Sequence, residues 1–222
     1  MKKHRISEST MFFNMAVAGG FLGGYAVFRC GILASAQTVN VIEMLFDFFG
    51  GSFVPALIHL GGLAIFAAAL FLVSWVKHRT RISMRIFALA MEMAAVVAVG
   101  FIPDTGHMQL VLYPLFFTMV MNWDACRGAG GYSSATVFST NNFYQAIGGL
   151  ADYAFTRSEK RLKHAAFFGG SLLSFYAGAS AAYWCCRLLH NRAIWLSLVI
   201  LAAAMAQEIH LRRRETEQAE KA

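Results

Sequence analysis

The residues of this sequence that could do chemistry are the charged and amide side chains lying inside apolar runs. Glu43 and Asp47 stand four apart, Glu92 sits midway along residues 82–102, and Asp124 closes an apolar run. An acid in such surroundings is costly unless it is paired or hydrated, so each is a candidate proton carrier or charge partner. Asp124 and Glu43 rank first because they border the two polar interruptions described next. Arg29 and Arg127 each precede one of those interruptions and are the natural partners; the alternative for both is a side chain that snorkels to an interface. His59 lies early in another apolar run and reads first as a hydrogen-bonded core histidine, and second as a proton relay. Asp152 and Glu208 fall near expected segment ends and should reach water.

The interruptions share a pattern. Ser35-Ala36-Gln37-Thr38-Val39-Asn40 contains Thr-x-Asn, and Val137-Phe138-Ser139-Thr140-Asn141-Asn142 contains it again. After each, an apolar segment resumes with helical spacing. A helix that starts inside an apolar bundle leaves its first N–H groups without water, so they need a cap or a ligand. Thr38 and Thr140 have the right chemistry for caps. Two such starts would also gather partial positive charge and donors at one place, which suits an anion or carboxylate. Gln37, Thr38, Asn40, Ser139, Thr140, Asn141 and Asn142 are the expected solute-binding residues, with Trp123 as an indole wall beside Asp124. The competing reading is that these groups satisfy only backbone and neighbouring helices.

The surrounding elements must then be membrane helices. The 222 residues are 58% hydrophobic and 14% charged, a membrane composition. The net charge of +7 comes from basic residues in short loops, which read as topology signals and lipid contacts rather than as a nucleic-acid surface. The four cysteines have no metal-ligand spacing and read as small core residues, so neither a metal nor a cofactor is expected. With about 20 residues needed per crossing, six crossings fall at residues 11–28, 53–76, 82–102, 110–125, 165–186 and 193–210. Half-helices lie at 38–49 and 140–155. Pro103-Asp104-Thr105-Gly106 stops the third crossing, Gly128-Ala129-Gly130-Gly131 breaks the chain after the fourth, residues 157–163 form a basic loop, and 212–222 is a charged tail, frayed or disordered.

Counting Lys and Arg near these ends puts both termini on the cytoplasmic side of a plasma or inner membrane. It also makes the halves run in opposite senses, so the expected fold is an all-α polytopic bundle within a single domain, residues 1–222. It consists of two inverted three-helix repeats, about 11–102 and 110–210, each with a broken or re-entrant half-helix. Gly61-Gly62 before Trp75 and Gly169-Gly170 before Trp184 echo the repeat.

Gly20-Phe21-Leu22-Gly23-Gly24 leading to Thr38-Val39-Asn40, with Trp123-Asp124-Ala125 leading to Thr136 and Ser139-Thr140-Asn141-Asn142, resembles the YoaK family of small prokaryotic integral membrane proteins of uncharacterised function. The family pattern has Gly-Phe-x-Asp-Ala and Thr-Gly-Asn in the first half, and Gln-Asn-Ala, Thr-Thr and Thr-Gly-Asn in the second. Here Gly23 stands at the first-half Asp, Trp123-Asp124 at the Gln-Asn, and Val39 and Asn141 replace the middle glycines. The resemblance implies a fold more than an activity.

The function expected from these features is a secondary transporter, or a channel, for a small polar or anionic solute at a midplane site between the two half-helix starts. An intramembrane enzyme acting on a lipid-type substrate through Asp124, Glu43 and His59 is the lesser expectation, and an accessory membrane protein with a sealed polar core is a third. Expected partners are the lipid bilayer and the solute, with no nucleic acid; a homodimer is also allowed. No nucleotide loop, His-Glu-x-x-His or Gly-x-Ser-x-Gly motif is present.

Overall fold

Helices make up nearly all of the computed structural model, which describes residues 2–103 and 108–219. In chain order they are α1 (Lys2–Cys30), α2 (Gln37–Phe49), α3 (Phe53–Arg79), α4 (Met84–Gly100), α5 (Met108–Ala125), α6 (Ser139–Thr156), α7 (Glu159–Leu189), a 3-10 turn (His190–Leu196) and α8 (Ser197–Ala219). The fold is all-α apart from a small hairpin, β1 (Gly128–Ala129) against β2 (Tyr132–Ser133). Its turn is Gly130-Gly131, both at positive φ, a conformation that glycine adopts without the Cβ clash. The expected break at Gly128 to Gly131 is therefore an ordered reversal.

Two expectations about the ends change. Only Arg157 and Ser158 join α6 to α7, so the basic stretch 157–163 is mostly the first turns of α7 and not a loop. The tail continues α8 as helix through Ala219. The stop at Asp104 to Gly106 and tail residues 220–222 lie outside the described residues.

Among the described residues, three segments are long and apolar enough to cross a membrane: Glu8–Cys30, Phe53–Arg79 and Glu159–Arg214. They do not occupy equivalent places. The first is 67% buried over its apolar stretch and the other two 33%, so α1 is central while α3, α7 and α8 turn one side outward. That outward side carries Phe71, Trp75, Leu173, Trp184, Leu188 and Val199. Such a surface is a liability in water and a fit to hydrocarbon. Phe12, Met15, Leu22 and Tyr25 of α1 and Leu112, Leu115, Phe116 and Met119 of α5 make the dry centre.

Helix α1 packs on α5, α7 and α8; α4 packs on α5 and α8; α3 packs on α5; α2 lies on α3, and α6 on α7. The closest approach is between α1 and α7. A Cβ on Gly20 would overlap the Phe175 carbonyl, one on Gly24 would sit 2.9 Å from Ala179 Cα, and one on Gly178 would overlap the Val17 carbonyl. Small residues allow this backbone contact, which supplies the dispersion energy that holds helices together where no hydrophobic effect operates between them. At the other end of α4, Asn191 donates Nδ2 to the carbonyls of Val99 at 2.8 Å and Ile102 at 2.6 Å. The Tyr25 hydroxyl donates to Asn191 Oδ1 in turn, so α1 fixes the side chain that satisfies the end of α4.

Gly20→Ala should therefore destabilise the protein by about 1–3 kcal/mol through forced separation of α1 and α7. Gly148→Ala and Gly169→Ala, whose added methyls meet open space, should be neutral or stabilising by about 0.5–1 kcal/mol. Thermal unfolding in detergent micelles followed by circular dichroism checks the contrast.

Candidate functional site

Both polar interruptions become helix starts, held in the same way. After α1 the chain turns at Gly31, with φ of 73°, and α2 begins at Gln37. Asn40, buried one turn inside α2, donates Nδ2 to the Leu33 carbonyl at 3.3 Å. In the second half Asn142, buried one turn inside α6, donates Nδ2 to the Ala135 carbonyl at 3.0 Å. Each asparagine thus ties its helix to the loop residue seven positions earlier. Thr38 and Thr140 do not cap these helices: neither start has a side-chain cap, and both threonines are exposed. The loops curl back over the helix ends, so the buried amide reaches their carbonyls while the threonine side chain points away.

The second start is the more elaborate. Asn142 also donates to the Phe138 carbonyl and to Ser171 Oγ, both at 3.0 Å, and accepts from Ser134 Oγ at 2.6 Å. Ser171 lies on α7, so this amide joins loop, α6 and α7. At the first start Gln37 Nε2 donates to the Ala34 carbonyl at 2.8 Å.

A cavity of about 1250 Å³ opens where the two loops meet. Leu33, Ser35 and Ala36 line it from the first loop, and Ser133 to Ala135 with Val137 to Asn141 from the second; Gly23, Gly24 and Phe175 supply walls from α1 and α7. Of the expected solute-binding residues, Trp123, Ser139, Thr140 and Asn141 line this space, together with Arg127. Gln37, Thr38, Asn40 and Asn142 do not; the two asparagines act behind the wall as positioning residues. Trp123 meets Phe138 edge to face with centroids 5.1 Å apart, and the Arg127 guanidinium lies 5.9 Å from the Trp123 ring.

The charged candidates separate into distinct places. Asp124 is ion-paired with Arg127 one turn on. Glu43 and Asp47 share a face of α2 and flank His59 of α3, at 3.8 and 3.9 Å from its Nε2, away from the cavity. Arg29 is half-buried at the end of α1 beside the Tyr25 hydroxyl. Asp152 reaches the surface and pairs with Arg161 at 3.2 Å. Glu208, expected in water, is instead 2% exposed, bonded by Arg212 at 2.7 Å and Arg85 at 3.4 Å. Because α8 runs on to Ala219, this acid lies within the helix and against α4, not at its end. Among the described residues no cluster of three or more His, Cys, Asp or Glu is arranged to hold a metal ion.

Glu92 is fully buried on α4, and its Oε1 accepts from Asn122 Nδ2 of α5 at 3.0 Å. Asn122 Oδ1 in turn accepts from Thr136 Oγ1 in the loop before α6. Asn122, Ser134, Ser171 and Asn191 went unrecognised in the sequence. For Asn122 the available signal is an uncharged amide inside an apolar helix, a weaker counterpart of the buried charge that marks Glu92.

A family model described as "Protein of unknown function (DUF1275)" matches residues 11–207, and the chain belongs to that family. No curated protein and no solved structure matches it.

Since Asn142 has four hydrogen-bond partners across three elements, three of them sharing its two Nδ2 hydrogens, and Asn40 has one at moderate length, Asn142→Ala should cost about 3 kcal/mol and Asn40→Ala about 1 kcal/mol. Exposed Asn141→Ala should change stability by less than about 0.5 kcal/mol. Unfolding in micelles measures all three.

Proposed function

We propose that this member of the DUF1275 family is a YoaK-like secondary transporter, or a channel, that moves a small polar or anionic solute through the cavity at the two chain breaks. One observation carries the reading: two loops from opposite halves of the sequence, 33–36 and 133–141, line a single cavity at the starts of α2 and α6. Serine hydroxyls, the Thr140 hydroxyl, the Asn141 amide and the Arg127 guanidinium offer donors there, while Phe175, Phe138 and Trp123 contribute apolar wall. That mixture suits a solute with one charged or polar end.

The inverted repeat is part of the same proposal. Helices α1 to α4 would correspond to α5 to α8, and the packing pairs support it. Under that exchange α1 on α7 becomes α5 on α3, α2 on α3 becomes α6 on α7, and α4 on α5 becomes α8 on α1, and every one of these pairs is in contact. The matched bonds of Asn40 and Asn142 support it at atomic detail. In this reading there are six crossings, α2 and α6 are half-helices starting at mid-depth, both termini are cytoplasmic, and the halves rock against each other to expose the cavity to either side in turn.

The two competing readings fit less well. No acid or histidine lines the cavity among the described residues, which leaves an enzyme without its acid and base there. A sealed polar core does not accommodate a space of this size.

Reconstitution in liposomes with a panel of radiolabelled monocarboxylates, amino acids and inorganic anions tests the proposal. At least one compound should show saturable uptake, reduced tenfold or more by Arg127→Gln and unaffected by Thr38→Ala. Absence of flux across the panel, or flux indifferent to Arg127→Gln, removes the site assignment.

A further inference from the structure

The acids inside the bundle differ in how their charge is compensated. Asp124 has Arg127, Glu208 has Arg85 and Arg212, and Glu43 and Asp47 are partly exposed and share His59. Glu92 has no cation among the described residues. It is the acid with 0% exposure, one oxygen held by Asn122 and the other, Oε2, buried without a hydrogen-bond partner. Around Cys126, which follows α5, the ionisable groups besides Glu92 are Glu8 of α1, Arg85 on α4 itself and Glu208 of α8; none of these is bonded to the Glu92 carboxyl. From the turn at the far end of α4, His190 and Arg192 are exposed, and His59 of α3 faces α2.

From this geometry we infer that Glu92 is a proton-binding residue whose ionisation is coupled to the contact of α4 with α5 and, through Asn122 and Thr136, to the loop that walls the cavity. A carboxylate with a single donor and no counter-ion is unstable in an apolar interior, whereas the neutral acid fits there. Loss of the proton to water therefore demands a second donor, and the packed state offers none at Oε2. The ionised form requires α4 and α5 to part or water to enter, and either event pulls on Asn122. Thr136 is bonded to Asn122, and its neighbours Ala135 and Val137 line the cavity. Proton release and cavity rearrangement thus favour each other, which by linkage is the condition for coupling proton movement to solute movement. The physiological use of this coupling rests on the transport reading; the proton site itself does not.

The test uses the whole chain in phosphatidylcholine vesicles, with no solute added. Infrared difference spectra between alkaline and neutral pH should show a protonated-carboxyl band at neutral pH. The band should move when glutamate is labelled with carbon-13 at its side-chain carboxyl, and should be lost in Glu92→Gln. Absence of any protonated glutamate band in the wild-type protein at neutral pH overturns the inference, whatever the variant does. So does a band that persists unchanged in Glu92→Gln, or one that responds to sodium at fixed pH. The coupling is read by hydrogen–deuterium exchange of peptides covering 122–138, corrected for the intrinsic pH dependence of exchange. Exchange there should rise at alkaline pH in the wild type and stay flat in Glu92→Gln; equal profiles overturn the coupling. None of these readouts depends on flux, so a protein that transports nothing in liposomes can still pass or fail them.

Discussion

The loops that lead into α2 and α6 carry backbone carbonyls that have to be paired where water is scarce, and this protein meets that constraint twice with a buried asparagine one turn inside the following helix. Asn40 and Asn142 each reach back to a loop carbonyl, and the chain between loop and helix is thereby folded into a fixed shape. The loops so formed meet at one cavity, and the helices they start, α2 and α6, lie on α3 and α7. Without those amides the loop carbonyls would be stranded in an apolar bundle, at a cost of roughly 1–3 kcal/mol each. These two amide-to-carbonyl bonds tie the loops that line the cavity to the helices that follow them.

The contact of α1 with α7 and that of α3 with α5 are built differently. Helix α1 crosses α7 through Gly20, Gly24 and Gly178 with the backbones nearly touching, whereas α3 meets α5 with the Phe116 ring set against Gly62. The first contact is a rigid seam and the second is filled by a side chain. Polar chemistry is divided along the same line. On α2, Glu43 and Asp47 address His59 of α3, while on α6 the residue that follows its Thr-x-Asn at the same spacing as Glu43 is Gln145, an uncharged amide that contacts His164 of α7 at 3.1 Å. At this spacing the contact of α2 with α3 carries an acid and that of α6 with α7 an uncharged amide, while α6 and α7 have their own ion pair in Asp152 with Arg161. The second half carries the denser hydrogen-bond net, through Asn142, Ser134, Ser171, Asn122 and Thr136.

Much of the fold was legible from the amino acids alone. The breaks, the helix order and most helix bounds follow from apolar run length and from glycine and polar interruptions, because in an apolar medium a helix must satisfy its own backbone and only such residues stop it. The pairing of Glu43 with Asp47 on one face follows from helical spacing. The errors have one cause. Thr38 and Thr140 have the type and position of caps, yet neither helix start has a side-chain cap, and the buried amides of Asn40 and Asn142 instead donate to loop carbonyls. Glu208 lies close to the helix end expected from the sequence, but α8 runs on past it to Ala219.

The sequence by itself determined that this is an all-α chain with segments long and apolar enough to cross a membrane, and that two related polar breaks interrupt it. These are local properties, set by composition and by the hydrogen-bonding needs of each segment. Only the tertiary structure decided which polar groups share a neighbourhood. It brought residues of the two loops, 33–36 and 133–141, to one cavity, set Glu43 and Asp47 beside His59, and left Glu92 bonded to an amide but to no cation among the described residues. Those outcomes depend on which helix faces touch, and that is fixed by side-chain packing in three dimensions, which spacing along one chain does not encode.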